Sequence, residues 1–329
     1  MRATAEIIVV GAGFAGLSAA LYLSRARRDT LVVDAGKSMG RWEPKVENYL
    51  GFPGGIDGKL LLERGRAQVA RFRVRFQTDY IRSVRGQNGA FELQGENTTY
   101  KCQRLLLATG IFHLPPEIPG VDVCLGHSMF FCKDCDGFRV RGKRIAVYGW
   151  KNDAVEYALA LLAYTPHITI ITDGRKPRWD DRHGIWLEQE NIPVIRREIS
   201  DVRRVGPKLQ ALVMKDGSKI PAEALFTTRG DIMFNQLACS LGAQLDREGQ
   251  IVTDLCMRTS VQGLYAAGCI TTGNCQMIIA AGQGATAAQT INRDLFKQSL
   301  QERTTTAQRH AQAHPATKAR SYRRHLAAK

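Results

Sequence analysis

No apolar run in this 329-residue chain approaches the roughly 20 positions needed to cross a bilayer. The first one, Ile7-Ile8-Val9-Val10, is too short for the apolar core of a signal peptide and runs straight into glycines. A membrane or exported protein is therefore not expected, and the chain reads as cytoplasmic. Close cysteine pairs are scarce as well. Of eight cysteines only Cys132 and Cys135 form one; Cys102, Cys124, Cys239, Cys256, Cys269 and Cys275 show no paired metal-ligand spacing, so no metal is expected. A lone C-x-x-C in an intracellular chain of this size points to redox chemistry rather than to a structural cross-link. Acidic residues are short too: 31 Asp and Glu against 46 Lys and Arg leave a net charge of +15. The imbalance is steepest from Gln298 onward, where Arg303, Arg309, Lys318, Arg320, Arg323, Arg324 and Lys329 face only Glu302. A segment so poor in apolar residues reads as a disordered basic tail over 298–329. It serves solubility or docks an acidic partner. Basic-aromatic interleaving is missing, which sets nucleic acid aside.

What is present begins with a buried strand over Glu6–Val10. Gly11-Ala12-Gly13-Phe14-Ala15-Gly16 follows, then a helix over Leu17–Ser24 and a second strand over Thr30–Val33 ending at Asp34. Each part has a physical reason. Gly11 makes the tight turn, Gly13 lets the backbone approach a pyrophosphate, and Gly16 lets helix and strand pack closely. The pyrophosphate would sit on the helix N-terminus, and Asp34 would accept hydrogen bonds from a ribose. A glycine loop alone is weak evidence; flanked by both strands, the helix and an acid 23 residues after the first glycine, it marks a dinucleotide site.

Further strands are expected at Ala90–Gln94 and Arg104–Leu107, the latter running into Ala108-Thr109-Gly110. The proline-rich stretch His113–Pro119 reads as a domain crossover. Beyond Cys132 and Cys135 the pattern repeats: strand Arg144–Tyr148, Gly149, helix Asp153–Leu162, strand His167–Ile171, Asp173. Ile251-Val252 and Gly263–Ala267 return to strand, and a last helix is expected over Ala280–Phe296. The fold class is α/β, with two Rossmann-type three-layer units.

These residues are similar to the low-molecular-weight thioredoxin reductases and their flavin-disulfide relatives. The match rests on the glycine loop, Val46-Glu47-Asn48-Tyr49 with Gly51-Phe52-Pro53, Gly55-Ile56-Asp57-Gly58, Ala108-Thr109-Gly110, Cys132-Lys133-Asp134-Cys135-Asp136-Gly137-Phe138 and Gly263-Leu264-Tyr265-Ala266-Ala267-Gly268. The resemblance implies a discontinuous FAD domain, residues 1–113 and 246–297, with a smaller NAD(P)-binding-like domain inserted at 114–245. It implies one FAD per chain and a homodimer. Asn48, Thr109, Gly268 and Gln276 would line the flavin site; Phe14, Ala15, Ala35, Ile81, Gly110, Cys269 and Met277 join the glycines and Asp34 as expected cofactor contacts. Cys135 would face the flavin, Cys132 would exchange with substrate, and Asp136 would move a proton to or from sulfur.

The chain departs from the family's pattern in the second unit. Gly149-Trp150-Lys151-Asn152-Asp153-Ala154 carries Lys151 where a second glycine would let backbone touch pyrophosphate. Asp173 stands where NADPH enzymes carry basic residues; it would repel a 2′-phosphate and suit a free ribose diol, as in NAD or a second FAD. Trp150 could stack on a ligand, though packing is the expected role. Cys269 and Cys275 also replace an acid and an arginine of the family. Small, buried packing residues are expected there, with a second redox pair near the flavin as the alternative.

The sequence thus reads as a flavin-dependent disulfide oxidoreductase acting on thioredoxin or a small dithiol or disulfide, independent of NADPH and fed by an acidic carrier such as ferredoxin or flavodoxin. The alternatives are a dithiol oxidase passing electrons to oxygen, an NAD(P)H-dependent thioredoxin reductase, and a non-enzymatic flavin redox sensor.

Overall fold

The computed structural model describes residues 2–87 and 89–313. The basic positions from Lys318 to Lys329 lie outside the described residues.

The chain opens with β1 (Arg2–Val10), α1 (Phe14–Arg25), β2 (Thr30–Asp34), α2 (Gly58–Ala70) and β3 (Val74–Thr78), followed by β4 (Ile81–Gln87), β5 (Ala90–Gly95) and β6 (Thr99–Leu107). They form one sheet in the order β3-β2-β1-β6-β5-β4, and a late strand, Leu264–Ala266, pairs in parallel with β6. The central strands are parallel, with Val10 opposite both Val33 and Leu107. Both faces are covered, which is why these strands read as unbroken apolar runs. Ile8, Val10, Leu31, Val33, Leu105 and Leu107 enter one core; Ile7, Val9, Val32 and Leu106 enter the other, under α1 and the final helix. Each such fully buried aliphatic side chain contributes about 1.5–3 kcal/mol.

A short strand, β7 (Ile111–His113), leads into the inserted unit: β8 (Met129–Phe130), α3 (Lys133–Asp136), β9 (Ile145–Tyr148), α4 (Asn152–Leu161), β10 (Ile168–Ile171), α5 (Asp181–Gln189) and β11 (Val194–Ile195). An antiparallel trio, β12 (Ile199–Val205), β13 (Lys208–Met214) and β14 (Lys219–Pro221), precedes β15 (Ala224–Thr227). The parallel sheet runs β11-β10-β9-β15-β8. The chain returns on β16 (Asp231–Met233), antiparallel to β7, then passes through α6 (Gln236–Ser240) and β17 (Leu264–Ala266) into α7 (Met277–Ala313).

Three expectations change. The return to the first unit falls at β16, not at residue 245. Leu237, Ala238 and Ala243 pack with Ile81, Leu93 and Leu105 in the first core, and no shift of composition marks the crossing. Ile251 makes only isolated bridges, to Leu245 and Thr271, in place of a strand over Ile251-Val252. The segment 298–313, read as disordered, is helical and continues α7. A helix already nucleated on a packed core extends cheaply through Gln, Glu, Arg and Ala, and the first proline after the helix begins is Pro315.

Candidate active site

The glycine loop joins β1 to α1 at the C-terminal edge of the first sheet. Gly11 has φ +104°, and a Cβ there would stand 2.3 Å from Ala108 O; a Cβ on Gly16 would stand 1.8 Å from Gly11 O. Both glycines are enforced by backbone contact. Gly13 is different: a Cβ there would meet only Ser38 Oγ at 3.4 Å, so the loop faces open space at this point. Among the described residues no side-chain acceptor caps α1, which leaves its first N–H groups free. Asp34 accepts from Ala12 N–H at 2.9 Å and from Gly36 N–H at 3.1 Å, with exposed Ala35 between. An open glycine, an uncapped helix start and a carboxylate at the next strand end fit the pyrophosphate and ribose of FAD.

The other positions expected at the flavin separate into two groups. Asn48 donates to Gln276 Oε1 at 2.9 Å, Gly268 N–H donates to Gln283 Oε1 at 2.8 Å, and Gln276 and Met277 stand at the start of α7. Thr109 Oγ1 donates to Phe234 O at 2.7 Å beside Gly110, which has φ +67° and nothing within 4 Å of a Cβ. Phe14 leans on Tyr49 with ring centroids 6.1 Å apart, and Ala15 is buried. Ile81, by contrast, is taken up in the core with Val84 and Leu93, so its side chain packs.

Cys132 and Cys135 are joined as a disulfide. Cys132 precedes the single turn of α3, and Cys135 N–H points at its sulfur at 3.1 Å. The disulfide faces the first unit: Gln276 Nε2 lies 3.3 Å from Cys135 Sγ and 3.5 Å from Cys132 Sγ. Three sequence elements far apart in the chain, residues 48, 132–135 and 276, thus meet at one place.

Asp136 is buried and bonded to Arg139, whose Nη1 donates to Asp136 Oδ1 at 2.9 Å and to Glu43 Oε1 at 3.2 Å. Arg139 also donates to Gly126 O at 3.1 Å and stands 3.8 Å from Glu47. Burial, outweighing Arg139, pushes the Asp136 carboxyl up to about 6. Burial and the neighbouring Asp136 push Glu43 up to about 7. Two acids poised near neutrality share one guanidinium close to the disulfide, an arrangement able to hold and release a proton. Sequence reasoning missed Glu43 and Arg139. Arg139 lies three residues after Asp136, a helical spacing that could have found it; Glu43, in a loop, left no signal.

At the second glycine turn a Cβ on Gly149 would meet Thr228 Oγ1 at 2.2 Å. Lys151 is exposed at the start of α4, which no side chain caps among the described residues. Asp173 differs from Asp34 in being engaged by side chains as well as by backbone. Tyr148 Oη and Ile199 N–H each donate to it at 2.8 Å, and Arg175 lies 3.2 Å away. Trp150 has the Arg175 guanidinium 4.2 Å from its ring centroid, and its carbonyl accepts from Arg178 N–H at 2.6 Å. Asn152 and Asp180 bond each other in both directions, at 3.0 and 3.1 Å. Asp153 is turned to Ala154 N–H at 2.8 Å. These bonds fasten residues 175–180 against the turn.

The largest departure from expectation is at Cys269 and Cys275. They are bonded to each other, not separate packing residues. The loop between them folds back on itself, which a spacing of six does not announce.

A family model described as pyridine nucleotide-disulphide oxidoreductase matches residues 5–289. A thioredoxin reductase from Listeria monocytogenes is 30% identical over 311 residues, covering 90% of this chain and 96% of the other. One from Treponema pallidum is 30% identical over 299 residues, covering 88% and 96%. Among solved structures, thioredoxin reductase from Giardia duodenalis superimposes with a TM-score of 0.80 at 25% identity, over 89% of this chain and 99% of that one.

Proposed function

Because the chain belongs to the pyridine nucleotide-disulphide oxidoreductase family and is an FAD-dependent disulfide oxidoreductase, we propose that it cycles Cys132–Cys135 without using NADPH. The observation that carries this reading is the engagement of Asp173. Its oxygens take hydrogen bonds from Tyr148 and Ile199, and bonds to Trp150 and Asn152 tie Arg178 and Asp180 to the glycine turn. Lys151 puts a side chain where the first unit has the open Gly13, and Asp173 is taken up by the Tyr148 phenol and the Arg175 guanidinium where Asp34 meets only backbone N–H groups. The same bonds weigh against NAD or a second FAD there.

FAD would be held by the Gly11–Gly16 loop, Asp34 and the Gly268–Met277 segment, and would supply two-electron redox chemistry when bound. The chain's own residues do the rest. Gln276 holds the disulfide against the first unit, Cys135 would be the sulfur that exchanges electrons with FAD, and Cys132 exchanges with thioredoxin or a small dithiol. Asp136, protonated about half the time near pH 6 by its burial, gives a proton to the departing sulfur and takes one back from the arriving thiol, while Arg139 steadies its anion. Electrons come from an acidic carrier such as ferredoxin or flavodoxin, which the net charge of +15 favours by attraction. The functional unit is a homodimer, as the family resemblance implies.

The test is anaerobic mixing of the FAD-loaded protein with NADPH, NADH and reduced ferredoxin in turn, following flavin absorbance. Bleaching by ferredoxin but by neither pyridine nucleotide is expected. Rapid bleaching by either nucleotide would overturn the reading.

A further inference from the structure

The disulfide between Cys269 and Cys275 lies in a loop whose two ends are also tied by hydrogen bonds. Gly268 N–H donates to Gln283, Thr271 N–H and Oγ1 return to Gly268 O at 2.9 and 2.8 Å, and α7 opens with Ala280 N–H on Gln276 O at 2.8 Å. Both ends are therefore already tied. Neither cysteine is sealed in the core: both are half-buried, and Thr272, Gly273 and Asn274 between them are exposed. Position is the stronger argument. Cys275 is joined to Gln276, whose side-chain amide touches both sulfurs of Cys132–Cys135. Cys275 is thus the chain neighbour, about 3.8 Å away between Cα atoms, of the residue that touches the first disulfide.

From this juxtaposition we propose that Cys269–Cys275 is a second redox-active disulfide, which takes an electron pair from the reduced Cys132–Cys135 dithiol. The inference rests on the reading that Cys132–Cys135 cycles. In the first step one thiol of that pair gives up its proton and attacks a sulfur of Cys269–Cys275. The S–S bond breaks as a mixed disulfide forms, and the released sulfur takes up a proton. The remaining thiol of the pair then attacks the mixed disulfide, closes Cys132–Cys135 again and releases the second sulfur, which is protonated in turn. One pair is oxidised and the other reduced by two electrons and two protons, with no outside oxidant. Attack requires Gln276 to move aside and the loop to swing. Gly273, at φ +122° with nothing within 4 Å of a Cβ, provides the freedom.

The test is stepwise anaerobic reduction of the full FAD-loaded chain with dithionite, with iodoacetamide trapping and mass spectrometry at each addition. In the wild type, Cys132 and Cys135 and then Cys269 and Cys275 become alkylated. In the C132S/C135S variant, Cys269 and Cys275 are trapped at least about tenfold more slowly while the flavin still bleaches. Two results overturn the proposal: Cys269 and Cys275 stay untrapped in the wild type after Cys132 and Cys135 are reduced, or they are trapped equally fast in the variant. Resistance of Cys132 and Cys135 themselves would sink the reading of the first pair, and the exchange with it; the site of alkylation tells these failures apart.

Discussion

Gln276 holds its side-chain amide 3.3 Å from Cys135 Sγ while accepting a hydrogen bond from Asn48, so one residue bridges the disulfide and the first unit. Replacing it by leucine keeps much of the volume and removes these contacts. A lost polar contact of this kind is worth about 0.5–1.5 kcal/mol, and reduction of the disulfide should slow roughly tenfold in Gln276→Leu. Stopped-flow flavin reoxidation reads the rate; the flavin-to-protein ratio of the same sample separates the effect from cofactor loss.

Asp136 and Glu43 predict a pH dependence with a definite sign. Burial raises both carboxyls, so the folded chain binds protons that the unfolded chain has released. Their contribution to stability is greatest in acid and is lost as pH rises through about 6 and about 7. Thermal unfolding at a series of pH values should show a loss of roughly 1–3 kcal/mol across this window, beyond any general trend. In Asp136→Asn the part near pH 6 should flatten. The same variant should slow dithiol exchange by about 10²-fold and remove the inflection near pH 6 from its pH-rate profile.

Restoring the missing glycine should not restore NADPH. In Lys151→Gly the bonds of Asp173, Trp150 and Asn152 remain, and Arg178 and Asp180 stay tied to the turn. NADPH should still fail to bleach the flavin anaerobically. Bleaching at a rate that supports turnover would show that Lys151 alone had closed the site.

Gly16 is the tightest point of the flavin unit. Its absent Cβ would lie 1.8 Å from Gly11 O, and the clash is with backbone, which cannot swing aside. Overpacking of this kind costs about 3 kcal/mol or more. Gly16→Ala should purify without yellow colour and melt several degrees lower, readable by absorbance and calorimetry.

The first dinucleotide unit was legible because every signal there is local: strand, glycines, helix and acid follow within 30 residues and each has its own physical reason. Cys132 and Cys135 were legible for the same cause. Three things were not. The role of Asp173 depends on Tyr148 and Ile199, one of them 26 residues away, and its spacing from Gly149 suggested a ribose ligand instead. The pairing of Cys269 with Cys275 depends on a loop reversal fixed by Thr271 and Gln283. The extent of α7 depends on a helix inheriting its nucleus from a packed core, so composition alone suggested disorder where the structure continues the helix.

The β7–β16 ribbon carries both passages of the chain between the two units side by side, with Asp231 opposite His113 and their side chains 2.5 Å apart. Two strands laid antiparallel cannot be drawn apart lengthwise without breaking their rungs, but they take up twist readily. The linkage is therefore stiffer against stretching than against twist, a property of the ribbon itself. Arg139, gripping Glu43 across the same boundary, adds a second, electrostatic tie that the ribbon alone does not supply.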